Sequence, residues 1–134
     1  MVLLLLVSNG CRNDNNQIVP YVYVELNVNL GLPQFSVLNS TNNAYLYPNV
    51  GYNHDGIIIY NYDGIDFFAF DATCPQHIDT PTAVKLDGGG SAGTATCPQC
   101  KTVYYLTNYG YPSKGYPLKR YSVIKSGNTL YVTN

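Results

Sequence analysis

The residues with the most chemistry in this sequence sit in two short loops, Cys74-Pro75-Gln76-His77 and Cys97-Pro98-Gln99-Cys100. Each loop carries two soft donors three positions apart, with a proline directly after the first donor. Proline holds φ near about −65° and has no N–H, so it favours a tight turn that can aim neighbouring side chains at one point. Two such turns facing each other form a cage of three thiolates and one imidazole. One zinc ion accepts four ligands of these types tetrahedrally, and two-residue spacers are usual in structural zinc sites. A [2Fe-2S] cluster also takes four protein ligands, two per iron. The third option is no metal, with two of the cysteines joined as a disulfide outside the cytoplasm. The loops by themselves leave all three open.

Strands must bring these loops together. The chain has 134 residues, enough for one domain with its own core. Tyrosine is frequent, tryptophan is absent, and Asn and Gly are common, a composition that points to an all-β domain with tight turns. Val22, Val24, Leu26, Val28 and Leu30 alternate with polar or tyrosine positions, the period of a half-buried strand. Gly56-Ile57-Ile58-Ile59-Tyr60 reads as a central strand, Asn61-Tyr62-Asp63-Gly64 as a hairpin turn, and 65–70 as the return strand leading into Cys74. Strands are predicted at 82–86, 93–96 and 102–106 around the second loop. A Gly/Pro-rich loop over 107–117 and a closing hairpin over 118–132 follow. No stretch is amphipathic over enough residues for a sizeable helix.

The N-terminus reads differently. Val2–Val7 is apolar but far too short to span a bilayer. It resembles the end of a secretory h-region, and Ser8-Asn9-Gly10-Cys11 is similar to a bacterial lipoprotein cleavage box. Cys11 is therefore the expected lipidation site, with 1–17 as signal remnant and tether and 18–134 as the folded domain. The absence of a basic stretch before the apolar run suggests a start assigned too late, and Ser8 stands where an aliphatic residue is usual. The expected location is the bacterial cell envelope, lipid-anchored and facing the periplasm or the exterior.

Other functions find little support. Net charge is −1 with no basic patch, which argues against nucleic-acid binding. Carboxylates are few and scattered, and no nucleophile motif is present, so a self-contained hydrolase is not expected. Gly88-Gly89-Gly90 precedes no helix and so does not build a phosphate loop. Cys97-x-x-Cys100 lacks the βαβ setting of a thiol oxidoreductase. Asp71, just before Cys74, is read as a turn cap.

The order of parts resembles a Rieske iron–sulfur domain. Phe68-Ala-Phe-Asp-Ala-Thr-Cys74 is similar to the strand entering that family's first ligand loop. Cys97-Pro-Gln-Cys-Lys-Thr-Val-Tyr-Tyr-Leu is similar to its Cys-Pro-x-His-Gly-x-x-Phe stretch, and Gly115-Tyr-Pro-Leu-Lys-Arg-Tyr-Ser-Val with Leu130-Tyr-Val resembles its ending. The resemblance implies a small β-sandwich with a two-loop metal-binding subdomain over about 71–106. It also implies a [2Fe-2S] cluster on Cys74, His77, Cys97 and Cys100, and electron transfer to an unknown redox partner. Three departures stand out. The first loop is one residue longer than Cys-x-His, Cys100 replaces a histidine, and Lys101 replaces a glycine. A thiolate for an imidazole adds negative charge and implies a potential below that of a bis-histidine centre. His54 is the remaining candidate for a second imidazole. Zinc, or no metal with a disulfide and a structural or binding role for the tyrosine-rich surface, remain the alternatives.

Overall fold

The computed structural model describes residues 18–134, so the apolar run and Cys11 lie outside the described residues. The opening alternation becomes strand β1 (Glu25–Asn29), with Val24, Leu26, Val28 and Leu30 all buried. β2 (Ala44–Tyr47), β3 (Ile57–Asn61) and β4 (Phe67–Asp71) form an antiparallel meander. β9 (Arg120–Ser126) and β10 (Thr129–Thr133) close the chain as a hairpin. These strands make one curled sheet in the order β1-β10-β9-β4-β3-β2. β9 bridges its halves, because Arg120 and Tyr121 pair with β4 while 122–126 pair with β10.

A smaller antiparallel sheet, β5 (Lys85–Leu86), β6 (Thr94–Thr96), β7 (Val103–Tyr105) and β8 (Tyr111–Pro112), carries the second loop between β6 and β7. The fold is thus all-β, and its described helical turns are of the 3-10 type.

β3 explains why two cores can coexist. Ile57 and Ile59 pack with Val28, Leu38, Leu130 and Val132. Ile58 and Tyr60 face the opposite way, with Phe70, Cys74, Cys97 and Tyr104. All five β3 residues are buried, as an apolar, β-branched run at a sheet centre requires.

Three details depart from expectation. The return strand starts at Phe67 because the Asp63 carboxylate accepts the N–H groups of Ile65 and Asp66, widening the hairpin loop and leaving Ile65 exposed. The 107–117 loop contains β8, whose Tyr111 and Pro112 pair with β7. The irregular stretch before β2 is a seven-residue 3-10 segment, Pro33–Asn39, which buries Phe35 and Leu38.

Candidate metal centre

β4 delivers the first loop. Beyond Asp71 the chain makes a bridge between Thr73 and Ala83, and the Cys74 N–H donates to the Thr82 carbonyl at 2.9 Å. Pro75 then opens a 3-10 turn through His77. The His77 ring is held at both nitrogens, with Nε2 3.2 Å from Cys97 Sγ and Nδ1 3.1 Å from the Thr80 carbonyl. A backbone carbonyl can only accept, so Nδ1 carries a proton there and Nε2 faces the cage.

β6 and β7 deliver the second loop. The Cys97 N–H donates to the Thr102 carbonyl at 2.9 Å, and the Lys101 N–H donates back to the Cys97 carbonyl at 2.8 Å. This knuckle forces Lys101 to φ 66°, the left-handed region where the resembling pattern has glycine. The Lys101 ammonium donates to the Pro98 carbonyl at 2.9 Å. Two side chains clasp the loops together: Thr82 Oγ1 donates to Gln99 Oε1 at 2.6 Å, and Gln99 Nε2 donates to Thr80 Oγ1 at 3.2 Å.

The donor atoms of Cys74, His77, Cys97 and Cys100 consequently lie within 4.8 Å of one another. Cys74 Sγ and Cys100 Sγ are 3.7 Å apart, against about 2.05 Å in a disulfide, and these three cysteines are free thiols. Cys74 and Cys97 are buried, His77 is half-buried and Cys100 is exposed, so the group sits at the rim of the small sheet.

The surroundings tune the donors. The Tyr104 hydroxyl lies 3.0 Å from Cys74 Sγ and accepts from Gln76 Nε2 at 2.9 Å. Gln76 also bonds both the carbonyl and the N–H of Tyr116, tying the Gly/Pro-rich loop over the first ligand loop. Burial pushes the Cys74 thiol up to about 12, against hydrogen bonds from Tyr104 and the Gln76 N–H that favour the thiolate. Burial also acts upward on Cys100, but bonds from the Thr102 side chain and backbone outweigh it and bring the thiol down to about 6. Burial disfavours the His77 imidazolium, yet the Cys97 sulfur and the Thr80 carbonyl outweigh that and raise it to about 9. A metal-free site therefore favours an imidazolium–thiolate pair, whose proton a bound cation would displace.

The donor types suit zinc, iron or an iron–sulfur cluster. Metal–sulfur bonds of about 2.3 Å and metal–nitrogen bonds of about 2.0–2.1 Å in a tetrahedron put sulfurs about 3.8 Å apart and sulfur about 3.6 Å from nitrogen. The observed sulfur–sulfur 3.7 Å matches that scale, while the 3.2 Å sulfur–nitrogen contact is shorter and the 4.8 Å span of the group is longer. In a [2Fe-2S] cluster, two bridging sulfides separate the irons, so donors on opposite irons stand about 5.5 Å apart or more. The 4.8 Å within which all four donors lie falls between these two scales.

His54 is not part of the group. It is exposed in the turn Tyr52–His54, and that turn's backbone hydrogen bonds explain its place. Asp71 does cap a turn, accepting the Thr73 N–H, but it is also fully buried and accepts from the Tyr52 N–H and the Tyr121 hydroxyl. Sequence reasoning missed Tyr104. Alternation requires one of Tyr104 and Tyr105 to point inward, and only the register of β7 says which.

No family model matches this chain, and no curated protein matches it. Solved structures do. One is the ferredoxin of carbazole 1,9a-dioxygenase from Nocardioides aromaticivorans IC177, with 16% identity, 69% of this chain and 86% of that chain covered, and a TM-score of 0.46. Another is the quaternary ammonium Rieske monooxygenase CntA in complex with an inhibitor, with 12% identity, 88% of this chain and 32% of that chain covered, and a TM-score of 0.57. The chain therefore spans about a third of the monooxygenase's length. The second likeness establishes a Rieske-like β fold, with a Cys/His group able to bind metal at its two loops.

Proposed function

We propose that this chain is a Rieske-like electron-transfer module whose iron centre is held by Cys74, His77, Cys97 and Cys100. The observation that carries this reading is the convergence of four soft donors on paired loops of this fold. The rim position supports exchange with a redox partner, because half-buried His77 and exposed Cys100 would leave the centre close to the surface. Three thiolates and one imidazole favour a potential below that of a bis-imidazole centre. A [2Fe-2S] cluster is the group the resemblance implies, and holding it requires the cage to widen. The lipoprotein-like stretch ending in Cys11 supports tethering to a membrane of the bacterial envelope. Detection of an acylated Cys11 by mass spectrometry tests the tether, and an unmodified, water-soluble chain in its native host removes it.

A second reading is favoured by one contact, the 3.7 Å between Cys74 Sγ and Cys100 Sγ: one zinc ion that stabilises the loops, with the domain serving a structural or binding role. Anaerobic purification from iron-replete cells separates the two. Iron with visible absorption and a reversible redox couple supports electron transfer, whereas colourless, redox-silent, zinc-loaded protein supports the structural role.

A further inference from the structure

Away from the ligand loops, one charged side chain is buried without a countercharge. Lys119 lies just before β9 and is only 8% exposed. Its carbonyl accepts the Asp71 N–H at 2.8 Å, which fixes the residue against the end of β4. Its ammonium sits between two tyrosine rings, 5.5 Å from the centre of Tyr21 and 5.6 Å from that of Tyr121, and donates to the Pro20 carbonyl at 3.1 Å. An ammonium has three protons to donate. Among the described residues, no other acceptor and no ion-pair partner meets it. Burial lowers the ammonium below its usual value, and the Asp71 carboxylate opposes this only through space. The oxygens of Asp71 are already engaged by Tyr52, Thr73 and Tyr121. A cation so placed is stabilised by any anion that reaches it.

The same residues line a surface cleft of about 640 Å³, in which Val19, Pro20, Tyr21, Tyr121 and Asn134 surround Lys119. Val19 and Tyr121 are buried, while Tyr21 is 71% exposed and leaves ring surface open to a ligand. The Asn134 side chain is held by the Val22 carbonyl and the Val24 N–H. No Asp or Glu lines the cleft. Arg120 borders it too, but its guanidinium lies over Phe68 and Tyr109, which do not. Lys119 therefore supplies the positive charge alone.

We infer that this cleft binds a small organic monocarboxylate with a flat apolar body. The carboxylate meets the Lys119 ammonium, and the body lies against Tyr21, Val19 and Pro20. Three features select that class. A single positive charge matches a monoanion, whereas phosphate groups favour several donors or an arginine fork. Apolar walls around one polar group favour an organic ligand over an inorganic ion. A cationic ligand would meet like charge, because the ammonium already takes the tyrosine faces. None of Cys74, His77, Cys97 and Cys100 lines the cleft, so its occupancy is readable apart from metal content.

The test is a titration of the isotope-labelled full chain with benzoate, and with benzamide as its neutral counterpart, followed by amide NMR spectra. The expected result with benzoate is saturable shifts at Tyr21, Lys119, Tyr121 and Asn134. Benzamide should bind more weakly by roughly ten- to a hundredfold, the loss of one charge-assisted hydrogen bond. Lys119→Met should bind the two probes alike, and Lys119→Arg should keep the preference for benzoate. Equal binding of both probes by the unaltered chain, shifts centred on other residues, or no saturable shift with benzoate overturns the site. The comparison of probes on the unaltered chain stands even where Lys119→Met does not fold.

Discussion

Replacing Asp71 with asparagine tests how the loop-bearing strand is anchored. Asp71 is fully buried at the end of β4, three residues before Cys74. Its Oδ2 accepts the Tyr52 N–H at 2.8 Å and the Tyr121 hydroxyl at 2.6 Å, and its Oδ1 accepts the Thr73 N–H at 2.9 Å. Asparagine has the same shape but turns one acceptor into a donor. In the better orientation its amide nitrogen faces the Thr73 N–H, leaving a buried donor unpaired at a cost of about 1–3 kcal/mol. The other two bonds lose charge assistance, about 1–1.5 kcal/mol each. Asp71→Asn is therefore expected to destabilise the domain by about 3–6 kcal/mol, a large part of the roughly 5–15 kcal/mol typical of a whole protein. Tyr121→Phe removes one bond of the three and should cost about 1–2 kcal/mol. Urea unfolding followed by tyrosine fluorescence measures both. A loss below about 1 kcal/mol for Asp71→Asn, or a larger loss for Tyr121→Phe, would refute the anchoring role.

Further perturbations probe the site and its frame. Removing the metal with a strong chelator should lower the melting temperature and make Cys74 and Cys97 reactive to thiol reagents, because the ion would no longer hold the buried donors. Unchanged reactivity counts against a metal at these residues. Tyr104→Phe deletes the hydroxyl on Cys74 and should weaken metal retention by about 1.5–3 kcal/mol, roughly ten- to a hundredfold in competition with a chelator. Equal retention by the variant contradicts that hydrogen bond. Lys101→Gly relieves a left-handed non-glycine residue and should stabilise the domain by up to about 1 kcal/mol, offset in part by the lost bond to Pro98. A clear loss of stability would mean the ammonium contributes more than the strain costs. Burial raises Tyr60 and Tyr121 above the usual tyrosine value of 10.0, with Asp71 adding to the effect at Tyr121. The folded state holds those protons more tightly than the unfolded chain. That contribution is complete below pH 10.0 and is lost as pH rises above it. Ultraviolet titration should show these two tyrosines ionising only with unfolding, and free ionisation near pH 10.0 argues against their burial.

The ligand loops are legible in the sequence because their chemistry is local: donor types, a two-residue spacer and a proline declare a turn with a purpose. The strands that carry them are legible for a similar reason, since alternation in 22–30 and the apolar run at 57–60 each admit one placement. The network behind the loops is not local. Asp71 meets Tyr52 and Tyr121, far away in the chain, and Gln76 meets Tyr116. Such contacts depend on register, which a hairpin loop can shift, as Asp63 does by delaying β4 to Phe67. Spacing along the chain names the donors, but the Thr82–Gln99–Thr80 bonds that join the two loops are not local.

Because β3 is a wall of both cores, neither core can melt while the other stays intact. The molecule should lose structure in one step, with the backbone amides of Ile57–Asn61 the last to exchange with deuterium. Energy gained by closing the cage on a metal would then be shared with the distant β1–β10 edge.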